Sequence, residues 1–415
     1  MRIVYLHQYF VTPEMAGGVR SYEMARRLAA RGHDVHVVTA DQESRGASDG
    51  WRESVECGVN VHWTPVPYDN TMSHARRLRA FFKFAWSASR RASALRPDLV
   101  FATSTPLTIA LPAVYAARRN ACPMVFEVRD LWPEVPIAIG ALRNPATIAV
   151  ARWLERFAYG NAAHVVALTP GMKDHVVSVG CPADRVSVIP NGCDLELFGA
   201  DASAPNLREQ FGWIGNRPLL VFCGTFGLVN GVDYLPRLCS HLLVIDPGIC
   251  VVALGHGREF EAVRGLAAQL AVLDRNFFML GRVPKKEAAA WVRTAQMTIA
   301  LFTGPEIVWR DAVQNKFFDS LAAGRPVANN FPGWQAKIAV EAGAGLILDA
   351  HDTCSAARTL AKHLRDAKWL EAASRAASDL ARTRFDRDFL AADLARVLEG
   401  VVRAHGTPAR LERAP

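Results

Sequence analysis

Short apolar runs alternate with helical segments along the whole chain of 415 residues, and this alternation limits the possible folds most strongly. Runs such as Ile3–Leu6, Leu99–Phe101 and Val251–Leu254 have the length of buried strands. Strands that alternate with helices form parallel sheets covered by helices on both faces. All of these runs stay far below the ~20 apolar residues that a membrane-spanning helix needs. The sequence therefore predicts the α/β class.

The alternating pattern runs through the chain twice. The first series of strand candidates ends near Val186–Ile189, and the turn cluster 190–192 follows it. A second series begins after a charged, irregular stretch. We therefore predict two doubly wound, Rossmann-like domains facing a cleft, over residues 1–192 and 193–384. Apolar residues at helical spacing predict that residues 385–415 form a helix that packs back on the N-terminal domain.

The chain is basic, with a net charge of +8 and an isoelectric point of about 9.2. Such an excess attracts nucleic acid, an anionic membrane surface or a phosphorylated ligand, and bulk charge does not choose among them. The eight cysteines show no Cys-x-x-Cys spacing, so we predict reduced thiols in a cytoplasmic protein and no structural zinc site. Because a strand candidate starts at the second residue, we expect no secretory signal.

The segment from Asp311 to Asp319 is the most informative part of the chain for function. Its first carboxylate follows the apolar run Met297–Phe302, and a polar turn with Lys316 comes next. A helix then carries the second carboxylate early and stops at Gly324. A strand end, a helix N-terminus, a cation and two acids can together hold a phosphate and several hydroxyls. These residues predict a nucleotide-sugar site.

Several segments, taken in order and spacing, resemble the retaining glycosyltransferases of family 4 over nearly the whole chain. They are His7–Phe10 with Gly17–Arg20, Glu127–Glu134, Pro190–Asp194, Gly224–Gly231 and Asn315–Asp319 through Pro326. The resemblance is closest to the branch that adds N-acetylated amino sugars, such as N-acetylfucosamine, during bacterial polysaccharide assembly. It implies the two-domain B-type architecture and a nucleotide-sugar donor.

The resemblance implies that the first glycine pair contacts the donor phosphates or the acceptor. Gly17 and Gly18 follow the first strand and open a helix, where backbone amides can approach a pyrophosphate. Arg20 adds a cation to this loop, and we assign all three residues to donor binding. The alternative is a flexible turn between a strand and a helix.

A second donor loop begins at Gly224, after the first strand of the second series. Many relatives clamp the diphosphate with two cations, at positions that appear as Thr225 and Asn230 in this chain. Hydrogen bonds would then replace ion pairs, and a structural turn is the alternative for Asn230. The resemblance also implies that Val283 lines the pocket for the nucleobase.

Asp311 and Asp319 occupy the positions of the family's pair of glutamates. The resemblance implies that Asp311 contacts the transferred sugar and Asp319 the ribose, each at closer range or through a water. Asn315 is assigned to donor binding, and Lys316 is our first choice for neutralising the leaving phosphate. The alternative is that Asp311 is a surface loop acid and that Asp319 complements a helix dipole.

Arg129 and Asp130 lie just beyond a strand candidate, where many relatives carry a histidine at the first position. Arginine stays protonated and cannot act as a general base, but it can hold a phosphate or carboxylate bidentately. Asp130, Glu127 and Glu134 could orient Arg129 or meet the acceptor. An Arg–Glu structural pair is an alternative of equal weight.

The segment Ser73–Pro97 contains seven basic residues, four large aromatic residues and no acid. A basic helix with aromatic residues suits an anionic membrane interface, so we predict a peripheral protein on the cytoplasmic face of the inner membrane. Nucleic-acid contact is not expected, because an aromatic stacking strand is missing. A solvated helix with an aromatic core face is the alternative.

Together these features predict a retaining sugar transfer from a UDP-linked N-acetylated sugar to a lipid-linked or glycan acceptor. The attack would occur on the front face, and the leaving diphosphate would help to accept the acceptor proton. Charge stabilisation by Lys316, helix N-termini, Arg129 and Arg20 would make a metal or other cofactor unnecessary. A nucleotide-sugar 2-epimerase and a non-catalytic sugar-nucleotide-binding subunit remain the alternatives.

Overall fold

A computed structural model describes residues 1–15, 17–41, 50–67, 72, 74–199 and 207–406. Ser73 and the predicted tail residues 407–415 lie outside the described residues. The chain divides into two compact units, of which the first contains Met1–Pro190 with Arg387–Pro415 and the second contains Asn191–Asp386. Each unit has a parallel or mostly parallel sheet covered by helices, which confirms the predicted α/β class with two doubly wound units.

Fourteen strands form the two sheets in the described part of the chain. The first sheet contains β1 (Arg2–Leu6), β2 (Asp34–Asp41), β3 (Arg52–Glu56), β4 (Val59–Pro65), β5 (Leu99–Thr103), β6 (Met124–Val128), β7 (His164–Ala167) and β8 (Val186–Val188). The second sheet contains β9 (Leu219–Cys223), β10 (Cys250–Leu254), β11 (Phe277–Leu280), β12 (Met297–Ala300), β13 (Val327–Asn329) and β14 (Gly345–Ile347).

The helices follow the strands in the alternation that the sequence predicts. In the first unit before residue 190 they are α1 (Arg20–Ala30), α2 (His74–Ala94), α3 (Ala110–Arg119), α4 (Glu134–Ala138), α5 (Pro145–Asn161) and α6 (Pro170–Ser178). The second unit contains α7 (Leu195–Phe198), α8 (Leu207–Gln210), α9 (Tyr234–Ile245), α10 (Phe260–Gln269), α11 (Lys285–Thr294), α12 (Glu306–Trp309), α13 (Asn315–Ala322), α14 (Trp334–Glu341), α15 (Thr353–Arg365) and α16 (Ala367–Arg384). The last helix, α17 (Arg387–Gly406), belongs to the first unit. Among the described residues, we find no helix with the length and apolar character that crossing a membrane requires.

The first sheet has the strand order β3-β4-β2-β1-β5-β6-β7-β8, and all pairs are parallel except the β3–β4 hairpin. The chain leaves β1 through α1 towards β2 and returns through α2 to β5, on the other side of β1. Crossovers are right-handed, so these opposite directions put α1 on one sheet face and α2, α3 and α5 on the other. The α17 helix packs against α1. The switch point between β1 and β5 is where an open sheet of this kind binds ligands.

The second sheet has the order β11-β10-β9-β12-β13-β14 and is parallel throughout. Its central strands are buried on both faces, which explains why they read as continuous apolar runs in the sequence. The strand order reverses between β9 and β12, so the ligand-binding edge lies beyond the carboxyl ends of these two strands.

Candidate functional site

Lys316 and Gly224 meet at the switch point of the second sheet. Gly224 directly follows β9, and Lys316 lies in the first turn of α13. A Cβ atom added at Gly224 would lie only 2.5 Å from Nζ of Lys316 and 2.9 Å from its Cε. The absence of a side chain at residue 224 is therefore what allows the lysine to reach the end of this strand.

The ammonium group of Lys316 is buried, and Nζ has no hydrogen-bond partner among the described residues. It lies 4.1 Å from the centroid of the Phe222 ring, which is the range of a cation–π contact. Burial lowers the pKa of Lys316 to about 8. A buried cation with so little compensation destabilises the protein, and an anionic ligand would offset that cost.

The neighbouring side chains fix the position of α13. Phe317 and Phe318 are fully buried in the core of the second unit. Ser320 Oγ donates a hydrogen bond of 2.6 Å to the carbonyl oxygen of Lys316 and accepts one of 2.8 Å from Thr298 Oγ1 on β12. These contacts tie α13 to the sheet and so fix the backbone from which the Lys316 side chain extends.

A cavity of about 70 Å³ lies beside this lysine, and its lining brings together two of the predicted site residues, Lys316 and Asp319. Cys223 and Lys285 also line it. Burial raises the pKa of Cys223 to about 12, so its thiol stays neutral and does not balance the lysine charge. Lys285 is already engaged, because its Nζ lies 2.8 Å from Asp194 Oδ2.

Asp311 precedes α13 and is only 6% exposed, so it is not the surface loop acid of the alternative interpretation. Arg310 Nε donates a hydrogen bond of 2.8 Å to its Oδ2. Asn191 Nδ2 donates to the carbonyl oxygen of Val313 at 2.9 Å and to Oδ1 of Asn315 at 3.3 Å. Asn315 therefore helps to hold the loop that carries Asp311, and its predicted donor contact stays a prediction.

The loop after β9 contains Gly224, Thr225 and Asn230, and it is packed against the adjacent strand ends. A Cβ atom at Gly255, which follows β10, would lie 1.8 Å from the carbonyl oxygen of Gly224, so these loops meet backbone to backbone. The Thr225 side chain is exposed and that of Asn230 is half-buried. Val283 follows β11, half-buried, and packs against the core of the second unit.

A second polar pocket lies within the first unit, where the loops after β1, β5 and β6 meet. It has a volume of about 290 Å³, and its lining includes the predicted residues Gly17, Gly18, Arg129 and Asp130. Thr105 Oγ1 donates a hydrogen bond of 3.0 Å to Oδ2 of Asp130. Arg129 lines this pocket, which is large enough for part of a substrate.

Arg20 and Glu127 do not reach this pocket and form a buried ion pair instead. Arg20 Nε and Nη2 donate to Oε1 of Glu127 at 3.1 and 2.8 Å, and Nη2 also donates to the carbonyl oxygen of Ile189 at 2.9 Å. The two side chains are 3% and 0% exposed. The structure therefore holds Arg20 in a buried ion pair with Glu127, and the predicted donor contact of Arg20 and acceptor or orienting role of Glu127 stay predictions.

The Arg–Glu pair that the sequence suggested for Arg129 thus exists with Arg20 as its cation. Thr103 Oγ1 completes the pair by donating a hydrogen bond of 2.7 Å to Oε2 of Glu127. Burial by itself would raise the pKa of Glu127, but the charges of Arg20 and Arg129 and these hydrogen bonds bring it below 4.5. Glu127 is therefore ionised at neutral pH and fixes the position of α1.

Glu134 lies at the start of α4 and is half-buried. Arg152 of α5 lies 3.2 Å from its Oε1, through Nη2. Glu134 is not among the residues that line the pocket of the first unit. The structure thus ties Glu134 to the helix that follows, and its predicted acceptor contact stays a prediction.

His7 is a pocket residue that the sequence interpretation did not assign to the site. It directly follows β1, it is buried, and its Nδ1 atom has no hydrogen-bond partner among the described residues. Burial, and then the charge of Arg129, lower its pKa well below 6.5, so the ring is neutral at physiological pH. Its position directly after the first strand, at a switch point, is the sequence signal that could have found it.

The sequence contains one Asp-x-Asp pattern, at Asp386 and Asp388, of the kind that metal-dependent transferases use. Asp388 lies in the first turn of α17, where Arg27 Nε donates a hydrogen bond of 2.6 Å to its Oδ1. In the described part of the chain, no group of three or more His, Cys, Asp or Glu side chains is arranged to hold a metal ion.

Residues 16–192 match the Glycosyl transferase 4-like domain. The chain is 25% identical over 284 residues to the colanic acid biosynthesis glycosyl transferase WcaI of Escherichia coli K12, covering 65% of this chain and 69% of that protein. It is 27% identical over 369 residues to a D-inositol 3-phosphate glycosyltransferase of Xylanimonas cellulosilytica, covering 85% and 84%.

Among solved structures, HepE of Anabaena in complex with UDP and glucose matches with a TM-score of 0.70 at 18% identity, covering 96% of this chain and 100% of that one. The chain therefore shares the B-type fold of these solved glycosyltransferases, and its sequence is similar to glycosyltransferases over residues 16–192 and over most of the chain. The predicted branch of N-acetylfucosamine transferases is not confirmed by these matches and stays a prediction.

Proposed function

We propose that the protein transfers a sugar from a nucleotide diphosphate donor to an acceptor hydroxyl with retention of the anomeric configuration. The observation that carries this proposal is the buried ammonium of Lys316, which has no hydrogen-bond partner in the described residues at the ligand-binding edge of the second sheet. A diphosphate is the part of such a donor that this group fits, because it is the anion on which charge grows during transfer.

The proposed reaction proceeds on one face of the sugar. The bond between the anomeric carbon and the diphosphate oxygen breaks, and the acceptor oxygen bonds to the same face of that carbon. The acceptor proton passes to an oxygen of the leaving diphosphate. Lys316 and the N-terminal amides of α13 stabilise the negative charge that develops there, so the step needs no metal.

The donor is proposed to be a UDP-linked N-acetylated amino sugar. HepE, whose fold this chain shares, binds UDP. Asp319 lines the same cavity as Lys316, which supports its assignment to the ribose. Val283 is assigned to the base, Asp311 to the sugar hydroxyls, and Thr225, Asn230 and Asn315 to the phosphate side of the donor.

The acceptor is proposed to bind in the pocket of the first unit, next to Arg129 and Asp130. The neutral ring of His7 and the backbone of Gly17 and Gly18 complete the lining. A lipid-linked precursor of a cell-envelope polysaccharide is the acceptor that we favour. The protein would then work at the cytoplasmic face of the inner membrane, as the basic helix α2 suggests.

A panel of nucleotide sugars tests the donor assignment by thermal stabilisation. UDP-N-acetylhexosamines should raise the melting temperature of the wild type, and Lys316→Ala should lose that response and far more turnover than Asp319→Asn. Turnover on lipid extract should persist in excess EDTA, and NMR of the product should show the anomeric configuration of the donor. Release of free sugar and UDP without acceptor would indicate a 2-epimerase, and donor binding without turnover a non-catalytic subunit.

A further inference from the structure

Helix α2 presents an exposed apolar stripe beside an exposed basic stripe. Leu78, Phe82 and Trp86 are 52%, 52% and 71% exposed and lie four residues apart, so they share one side of the helix. Arg79 and Lys83 are exposed on the adjoining strip. The buried residues of α2, among them Phe84 and Ala88, occupy the opposite side. Aromatic and aliphatic side chains therefore face outward without a partner in the described residues of this unit.

Helix α5 repeats this arrangement, although its sequence contains only two basic residues. Val150 and Trp153 are 62% and 55% exposed, and the Trp153 ring stacks on that of Phe157 with centroids 5.2 Å apart. Arg152 and Arg156 are exposed beside them. The one acid of the helix, Glu155, is buried and is held by His175 and Tyr159.

The α3 helix joins these two surfaces, because it packs against both α2 and α5 in the same layer. Its exposed residues are Tyr115, Arg118 and Arg119. The three helices together contain ten Arg and Lys residues and one acid, the buried Glu155. The helices of the other layer, α1 and α17, contain six Arg residues and four acids. The positive charge of the first unit is thus concentrated on one face of its sheet.

From this asymmetry we infer that the outer face of α2, α3 and α5 is a membrane-docking surface, with α5 as a second insertion point around Trp153. Exposed Trp and Phe side chains next to Arg and Lys suit the boundary between lipid headgroups and acyl chains. The basic residues attract anionic headgroups, while the aromatic residues bury in the boundary region. The inference rests on the proposed function in one respect, which is that the acceptor of the docked enzyme is carried by a lipid.

The docking surface is connected directly to the proposed acceptor pocket. The chain runs from Arg129 and Asp130, which line that pocket, through α4 into α5, and Glu134 of α4 is paired with Arg152 of α5. Docking through Trp153 would therefore fix the distance between the lipid surface and the loop that lines the pocket. A contact through α5 would therefore position the pocket relative to the lipid surface, which a contact through α2 alone would not do.

Flotation with vesicles tests the surface without any substrate. The wild type should bind vesicles of one part phosphatidylglycerol to three parts phosphatidylcholine, bind pure phosphatidylcholine weakly, and lose binding as salt is raised. Val150→Ser with Trp153→Ser, and separately Phe82→Ser with Trp86→Ser, should each lower the partition coefficient by about tenfold. Phe389→Ser is the matched control, because Phe389 is a 59% exposed aromatic residue on α17, and it should bind like the wild type.

The outcomes separate this inference from its rivals and from the proposed function. Wild-type binding by the α5 variant would restrict the contact to α2 and overturn the second insertion point. Absence of vesicle binding, with binding of a single-stranded oligonucleotide or self-association that the same variants remove, would overturn membrane docking. Donor-induced thermal stabilisation, measured on each variant, should stay at the wild-type level. If the donor did not stabilise the wild type at all, this result would instead refute the proposed function.

Discussion

Replacing Lys316 with methionine should stabilise the second unit while it lowers the proposed sugar transfer by about 10²–10³-fold. The pKa of the lysine is about 8 in the folded protein and 10.5 ordinarily. A pKa difference of one corresponds to about 1.4 kcal/mol, so burying this charge costs about 3 kcal/mol. The methionine variant also loses the cation–π contact with Phe222, and this loss offsets about 1–2 kcal/mol of the gain in stability. The net gain of about 1–2 kcal/mol should raise the melting temperature by about 2–8 °C in a domain of 150–250 residues.

The effect should depend on pH in a defined direction. Because the pKa of Lys316 is lower in the folded state, the unfolded chain holds a proton between about pH 8 and 10.5 that the folded chain has released. The stability of the wild type relative to Lys316→Met therefore rises across this window. The advantage of the methionine variant should be full at pH 7 and smaller at pH 9.5.

Calorimetric unfolding at these two pH values and steady-state kinetics provide the measurements. Turnover should fall by about 10²–10³-fold, which is the usual loss when a group that stabilises the transition-state charge is removed. Lys337→Met is the matched control, because Lys337 is an exposed lysine in the same unit, and its stability should change by less than about 0.5 kcal/mol. Destabilisation of the Lys316→Met variant, or turnover within tenfold of the wild type, would refute this reasoning.

Donor binding should load a proton onto Lys316, so calorimetry with UDP-N-acetylglucosamine in two buffers should show uptake of about 0.7 proton at pH 8.5 and about 0.1 at pH 7. Equal uptake at both values would contradict a lysine pKa of about 8. Gly224→Ala places a Cβ atom 2.5 Å from Nζ of that lysine, so kcat/KM should fall at least about tenfold with little change in unfolding temperature. Unchanged kinetics would show that the ammonium does not act from this position. Arg20→Met leaves Glu127 buried without its cation and should cost about 3–5 kcal/mol in urea unfolding at pH 7. Since the pKa of Glu127 is lowered, this stabilisation exists above pH 4.5 and should disappear as the pH falls further, where both proteins should converge. His7→Gln should lower turnover, whereas the wild type should keep its activity from pH 7 to pH 6, because burial keeps the His7 ring neutral there. A titration near pH 6.5 that the His7→Gln variant lacks would contradict this assignment.

The fold could be predicted because parallel strands in this chain are buried on both faces. The β5 and β6 strands are buried over their full length, Leu99–Thr103 and Met124–Val128, so they read as apolar runs without alternation. Helix boundaries also had local signals. Asn144, for example, caps α5 by accepting a hydrogen bond of 2.9 Å from the amide of Ala146.

The pairing of charged residues could not be predicted in the same way. Arg20 and Glu127 are 107 positions apart, and only the folded sheet brings β6 against the start of α1. Arg129 lies only two residues from Glu127, so the local sequence favours it as the partner of that acid, and yet Arg129 lines the pocket. Sequence periodicity fixes which side of a strand a residue occupies, but it does not fix which distant cation completes a buried pair. The outer face of α5 was missed for a related reason, since its exposure depends on what packs against the helix.

A single desolvated lysine can explain how this chain dispenses with the cations that the family resemblance leads one to expect at Thr225 and Asn230. A cation in water gives up hydration when it binds a phosphate, and this loss offsets much of the attraction. Lys316 has already given up that hydration on folding, because Phe317 and Phe318 anchor its helix and Gly224 leaves room for its ammonium. The free protein already carries this desolvation cost, so a larger part of the attraction would be available to the proposed diphosphate ligand. Stability and transfer should therefore change in opposite directions at this one position.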